Sequence, residues 1–301
     1  KGYLNINWKF WDNAVLKGIL NTSIWLLIIL IGELFLKNIS PVILGTFSGT
    51  NEIAVFSIAN TLDSYLLVFA AALNGLFLPK ITDLLNQNNS VELIRDLMIK
   101  VGRFQVLIIG FLTLIFVLVG MDFIQLWVGL QFARSYYVLI LLIVPTLLFS
   151  ILQLGTTYIL VLNKLKYQAY IYVFAAITNV LLAIILTPKY GAIGSGISIL
   201  ISKIVFYILG FTVVFHKKLG INMFTFYKMT FRKIVFPVVL IVMLFVTFDY
   251  FTYPDINIYT FAINSAVLSV AFFVLMFIFY LNQNEKEMVW GIIRKIKKNN
   301  V

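Results

Sequence analysis

Apolar residues run along most of this chain without the strict alternation of a strand or the one-sided periodicity of a helix on a soluble core. A helix needs roughly 20 mostly apolar residues to cross a bilayer. Eight runs come close enough to count: residues 14–36, 51–79, 104–120, 136–162 and 167–186, a sixth ending near 215, then 234–248 and 259–281. The predicted fold class is all-α, a polytopic membrane helix bundle of about eight transmembrane helices. Prolines punctuate it. Pro79 should end or bend the second helix, Pro145 should kink the fourth, and Thr187-Pro188-Lys189-Tyr190-Gly191 reads as a tight turn, as does Asn163 to Lys166.

Polar stretches separate these runs. Residues 80–103 carry Asp83, Glu92, Arg95, Asp96 and Lys100 and should be partly helical, and 121–135 reads as an interfacial turn with Trp127 at its boundary. Residues 1–13 place Trp8, Phe10 and Trp11 beside Lys1 and Lys9, a mixture suited to a cytoplasmic interfacial elbow. No signal peptide is read there, and Lys1 in place of Met suggests a segment of a longer protein. A basic connection, 217–233, is expected to lie along the cytoplasmic surface. The tail, 282–301, sets Met288, Val289, Ile292, Ile293 and Ile296 on one helical face and Arg294, Lys295, Lys297 and Lys298 on the other, the pattern of an interfacial amphipathic helix.

Composition sharpens the class. Of 301 residues 61% are hydrophobic and only 12% charged, with a mean hydropathy of +1.00. Soluble domains carry roughly twice that charge. The net charge of +11 would suggest nucleic acid in a soluble chain, but here the cations sit between apolar runs, so orientation and anionic lipid explain them and no nucleic-acid partner is expected. Without cysteine and with one histidine, thiol catalysis and Cys or His metal clusters have no material. No catalytic set, metal site or cofactor is predicted, and the chain reads as no enzyme.

Lys and Arg alternate between connections. One set holds Lys1, Lys9, Lys17, Lys80, Arg95, Lys100, Arg103, Lys164, Lys166, Lys217, Lys218, Lys228, Arg232, Lys233 and the tail cations; the other holds Lys37, Arg134 and Lys189. The rich set, with both termini, is therefore expected in the cytoplasm. The poor set has short loops, whose only carboxylates are Glu52, Asp122 and Asp255.

Charges inside the apolar runs are the candidates for function, because insertion scales put each at about 2.5–3.5 kcal/mol at mid-membrane. Asp63 lies in IAVFSIANTLDSYLLVFAAALNGLFLPKIT (53–82), and Asn60 and Asn74 share its narrow arc at 100° per residue. Lys203 lies in the sixth run with Gly196, Tyr207 and Gly210 close on its face. It can line a cavity that receives an anionic headgroup, or pair with Asp63 to hold the bundle, and the two roles are compatible. Glu33 has Lys37 one turn on, an inexpensive i,i+4 pair, though it too can belong to the cavity. Gln153, Asn179 and Asn264 are expected to bridge helices. Gly191, Gly194 and Gly196 mimic a phosphate loop but lack the preceding strand, so close helix packing is the expected role.

The segment PVILGTFSGTNEIAVFSIANTLDSYLLVFAAALNGLFLPKITDLL (41–85) resembles the first helix pair of the second lobe of polysaccharide flippases, O-antigen and repeat-unit flippases of the multidrug/oligosaccharidyl-lipid/polysaccharide exporter superfamily. FIQLWVG (123–129) and YGAIGSGISILIS (190–202) fit the same pattern, and the resemblance covers about residues 8–215. It implies two six-helix lobes rocking about a central cavity, with the second lobe at 14–216 and two additional transmembrane helices at 234–281. The implied substrate is an undecaprenyl-diphosphate-linked oligosaccharide, moved from the cytoplasmic to the outer leaflet of a bacterial cell membrane. A polysaccharide polymerase machinery is an implied partner beside the bilayer itself. The family supplies no catalytic motif, so the cavity set of Lys203, Asp63, Asn60, Asn74, Glu33 and Tyr207 rests on burial. A multidrug or lipid II exporter of the same superfamily remains open. So does an integral-membrane polymerase or glycosyltransferase, although the loops lack the paired acids such enzymes need.

Overall fold

The computed structural model describes residues 13–85, 87, 90–252, 257–283 and 285–287, so the amphipathic face beyond 287 and all of the expected elbow at 1–13 except Asn13, which opens the first helix, lie outside the described residues. Helices α1 (Asn13–Phe47) and α2 (Thr50–Gly75) form a hairpin turned by Gly49, which holds φ +85°. Then come α3 (Leu78–Leu85), α4 (Ser90–Val128), α5 (Ser135–Ser150), α6 (Gln153–Val161) and α7 (Leu165–Tyr190). The sixth run is one rod of three parts: α8 (Ala192–Ser202), a π-helical stretch (Lys203–Gly210) and α9 (Phe211–Leu219). After α10 (Met223–Phe231) and α11 (Val235–Thr252), α12 (Ile258–Leu275) runs into a second π turn (Met276–Tyr280). Among the described residues seven helices are long and apolar enough to span a membrane, and eight if the bent pair α5–α6 is one span. The all-helical polytopic class therefore holds, with no strand among the described residues.

Four boundaries differ from the sequence reading, each for a local reason. α2 stops at Gly75, not Pro79; the chain breaks at Leu76–Phe77, and Pro79 sits in the first turn of α3, where its missing N–H costs nothing. The fourth span bends by 48° between Ser150 and Gln153, not at Pro145. There the Leu152 N–H bonds Phe149 O and the Gly155 N–H bonds Leu152 O, so three-residue steps replace the α-helical ladder. Pro188 does not end α7, which runs on to Tyr190; Gly191 alone makes the turn, at φ +59°. The 121–135 stretch is also mostly helix, since α4 reaches Val128 before Gly129 turns the chain.

The basic connection is likewise more structured than expected. Asn222 caps α10 by accepting from the Thr225 N–H at 3.0 Å, and Met223, Phe226 and Thr230 turn inward. α10 packs on α4, so only one face of it is free to meet a surface.

Burial falls into two apolar clusters. One joins α2, α4, α5 and α8 through Phe56, Leu66, Ile109, Leu139 and Ile199; the other gathers α4, α6, α7, α9 and α10 around Met98, Ile159, Phe211 and Phe226. α7 and α8 approach closely along small residues. A Cβ on Gly194 would run into the α7 backbone at Leu186, and hydroxyls bridge the pair: Thr187 to Ser195 at 2.9 Å and Ser198 to Asn179 Oδ1 at 2.8 Å. Asn264 similarly donates to Asp249 at 2.9 Å, joining α12 to α11. These are the helix bridges expected of Asn179 and Asn264.

Candidate functional site: a charged recess at the seam of two apolar clusters

The recess forms where the two clusters meet. Leu142 and Ile199 line it from the first, and Leu36, Phe149, Tyr172 and Tyr207 from the second, enclosing a cavity of about 40 Å³. That is room for one or a few water molecules, well short of the roughly 300–1,000 Å³ of a small-ligand pocket, so the recess is nearly closed in this conformation. Between them stand the polar side chains: Asp63 and Asn60 from α2, Glu33 and Lys37 from α1, Thr146 from α5, and Lys203 and Tyr207 from the π-helical stretch.

The charge runs from rim to floor. Glu33 and Lys37 pair at 2.9 Å and are each about two-fifths exposed. Asp63 and Lys203 are 3% and 7% exposed. Lys203 Nζ donates to Thr146 Oγ1 at 3.0 Å and reaches Asp63 Oδ2 only at 3.4 Å. Asp63 Oδ1 and the Tyr207 hydroxyl, both buried, have no hydrogen-bond partner among the described residues. Tyr207 is instead held by its ring, 4.6 Å from Tyr172 and 4.9 Å from Phe149 between centroids.

Local structure explains why Lys203 projects here. It opens the π-helical stretch, whose wider turn re-aims side chains and recurs at functional sites. Gly196 one face-repeat earlier admits Leu141 of α5, and Gly210 admits Ile171 of α7, so the rod sits close to both neighbours. The pair it makes with Asp63 joins residues 140 apart in sequence.

Five of the six predicted cavity residues therefore line one recess: Lys203, Asp63, Asn60, Glu33 and Tyr207. Asn74 does not. Eleven residues beyond Asp63, it lies roughly 16 Å along α2, where its Nδ2 donates to Gln153 Oε1 and to Ala70 O, each at 2.8 Å. A shared arc on the wheel fixes direction but not height. Thr146 and Tyr172 went unnoticed in the sequence. A threonine one place after Pro145 in an apolar run was the available signal for the first; a tyrosine among fifteen carries none.

Two further polar groups were missed. Glu52, expected in a short loop, accepts from Arg134 Nη1 at 2.6 Å and from the Ala192 N–H at 2.7 Å, tying three connections together at the start of α8. Arg103 is buried, not a loop cation, and pairs with Glu285. Among the described residues no three His, Asp or Glu side chains converge as metal ligands.

A rim-to-floor charged recess inside a bundle of apolar spans defines the class: a polytopic membrane protein with a polar hollow. No protein-family profile and no curated protein sequence matches the chain. Among solved structures, the lipid II flippase MurJ in an inward closed conformation superposes with a TM-score of 0.63 at 17% identity, over 83% of this chain and 52% of its own. The chain spans about half the length of that protein, and the likeness is one of fold.

Proposed function

We propose that this chain is the cavity-bearing lobe, with two added helices, of a flippase that moves an undecaprenyl-diphosphate-linked oligosaccharide from the cytoplasmic to the outer leaflet by alternating access. The observation that carries the reading is the Asp63–Lys203 pair. Two charges at the middle of apolar spans cost about 5–7 kcal/mol on insertion scales, comparable with a whole domain's stability. A pair kept only for packing would be expected to satisfy itself fully. This one is long on one side and unpartnered on Asp63 Oδ1. Lys203 then offers a cation to the anionic diphosphate, Asn60 and Tyr207 offer polar contacts to sugar, and Glu33 and Lys37 stand at the entrance. The polyprenyl tail stays in lipid. Outward movement of an anion runs with an inside-negative potential, worth roughly 2.3 kcal/mol per charge per 100 mV.

The fold likeness supports a lipid-linked cargo, and because that neighbour is a lipid II flippase, lipid II is the second reading. A cell membrane with the Lys/Arg-rich connections inside fits both. The deciding experiment is a deletion strain complemented with wild type, Lys203→Ala or Lys203→Met, in which accumulated lipid-linked precursors are identified. Accumulated repeat-unit oligosaccharide, relieved by wild type only, is the expected result; accumulated lipid II selects the second reading. Transport surviving Lys203→Ala while Lys203→Met lowers protein yield would make the lysine structural and end the proposal.

A further inference from the structure

A second recess, of about 270 Å³, shares no lining residue with the first and is lined by Ile99, Arg103, Met229, Arg232, Lys233 and Asn282. It forms where α4, the α10–α11 link and the end of the last span meet. Three of its six lining residues are cations. Arg103 is buried and mostly engaged: Nε and Nη2 donate to Glu285 at 2.7 and 2.9 Å, Nη2 also to Tyr280 O at 2.5 Å, and Nη1 to Met229 O at 3.3 Å. Those bonds use four of its five N–H groups. The fifth, on Nη1, has no partner among the described residues. Arg232 and Lys233 are exposed and pair with no carboxylate among the described residues. Lys233 also holds φ +67°, a left-handed conformation lysine seldom takes, and such outliers gather at ligand clamps.

Beyond the cations the surface turns apolar at once. Val235, Phe236 and Phe279 are exposed, and the rings of Phe236 and Phe279 meet edge to face at 5.0 Å. We infer that this recess binds the phosphate headgroup of an anionic bilayer phospholipid, with its acyl chains along α11 and the end of α12. Guanidinium and ammonium groups are the usual donors to phosphate oxygens, and basic recesses between membrane helices take anionic headgroups. A cation group followed directly by exposed apolar span favours a lipid over a soluble phosphate. The bound lipid fastens the last two helices to α4 and α10 through a charge the protein itself leaves unneutralised. This inference stands independently of what the Lys203 recess carries.

The test uses the whole chain, purified in neutral detergent, with phosphatidylglycerol, phosphatidylcholine or inorganic phosphate added. Lipid adducts are counted by native mass spectrometry and thermal unfolding is followed in parallel. Phosphatidylglycerol is expected to be retained at least about tenfold better than phosphatidylcholine and to raise the unfolding temperature. Arg232→Gln combined with Lys233→Gln should abolish both effects while leaving the Arg103–Glu285 pair intact. Equal retention of the two lipids by wild type overturns the inference, whether or not the double variant folds. So does phosphatidylglycerol protection undiminished in the double variant. Millimolar inorganic phosphate reproducing the full shift would overturn the lipid assignment in favour of a soluble anion.

Discussion

Two ion pairs are buried in this bundle to nearly the same depth, yet they are built differently. Arg103 and Glu285 are bidentate at 2.7 and 2.9 Å; Glu285 Oε2 also accepts the Asn282 N–H at 2.8 Å, and the guanidinium lies 4.2 Å over the Tyr280 ring. Tyr280 in turn donates to Thr230 O at 2.8 Å. Almost every polar atom there is answered, the condition under which a buried network rigidifies a fold. Asp63 and Lys203 meet once, at 3.4 Å, beside a small recess. Depth of burial alone does not separate the two pairs; completeness of hydrogen bonding does.

The largest effect that could break this distinction is expected at Glu285. Glu285→Ala leaves Arg103 buried and uncompensated, which costs about 3–5 kcal/mol, and should appear as a steep fall in unfolding temperature with transport per folded molecule unchanged. Replacing both partners, Arg103→Met with Glu285→Leu, should recover little. The carbonyls of Met229 and Tyr280 and the Asn282 N–H would still lack partners.

The same double replacement at the other pair should behave oppositely. Lys203→Met with Asp63→Leu removes two poorly satisfied charges, so stability should hold or rise by about 1–4 kcal/mol, while transport is lost. A double variant that is stable and still transports would show that the recess charges do no work. Asp63→Asn alone asks whether a cation moves with the substrate. Turnover in proteoliposomes that never depended on pH or sodium gradients would remove Asp63 from coupling.

Acid should separate the pairs less sharply. Glu285 lies beyond the last span; burial pushes its carboxyl up, but the Arg103 and Asn282 hydrogen bonds and the charges of Arg103 and Lys100 outweigh burial and hold it below its usual 4.5. A carboxylate lowered in the folded protein contributes stability above the unfolded value and loses it as pH falls through the folded one. Unfolding temperature should therefore decline below about pH 4.5, and Glu285→Gln should flatten that decline. An unchanged pH profile in the variant would mean the network does not set the acid limit.

How much of this was legible follows from where charges are rare. Asp63 and Lys203, 140 residues apart, could be suspected as partners because each stands alone in an apolar run, where few partners exist. Arg103 and Glu285, 182 residues apart, sit among other charges, and nothing in a linear reading couples one loop cation to one tail acid. The spans themselves were legible because bilayer-length apolar runs leave little choice. Their breaks were not, since the bend at 151–152 is a switch to three-residue hydrogen-bond steps that no residue type in the apolar run marks. Proline marked the wrong places because a helix tolerates it in a first turn or within a well-packed span.

The smallest expected effect tests the rim against the floor. Glu33 and Lys37 satisfy each other at 2.9 Å while remaining about two-fifths exposed. An i,i+4 pair of that kind contributes about 0.2–0.5 kcal/mol, and water screens it further. Glu33→Gln should therefore leave the unfolding temperature nearly unchanged. If the pair only steers a charged headgroup toward Lys203, the variant should slow transport a few-fold at low salt, with the difference shrinking as ionic strength rises. Loss of transport as complete as that of Lys203→Met, and insensitive to salt, would move Glu33 from the entrance to the binding floor and redraw the boundary between the two.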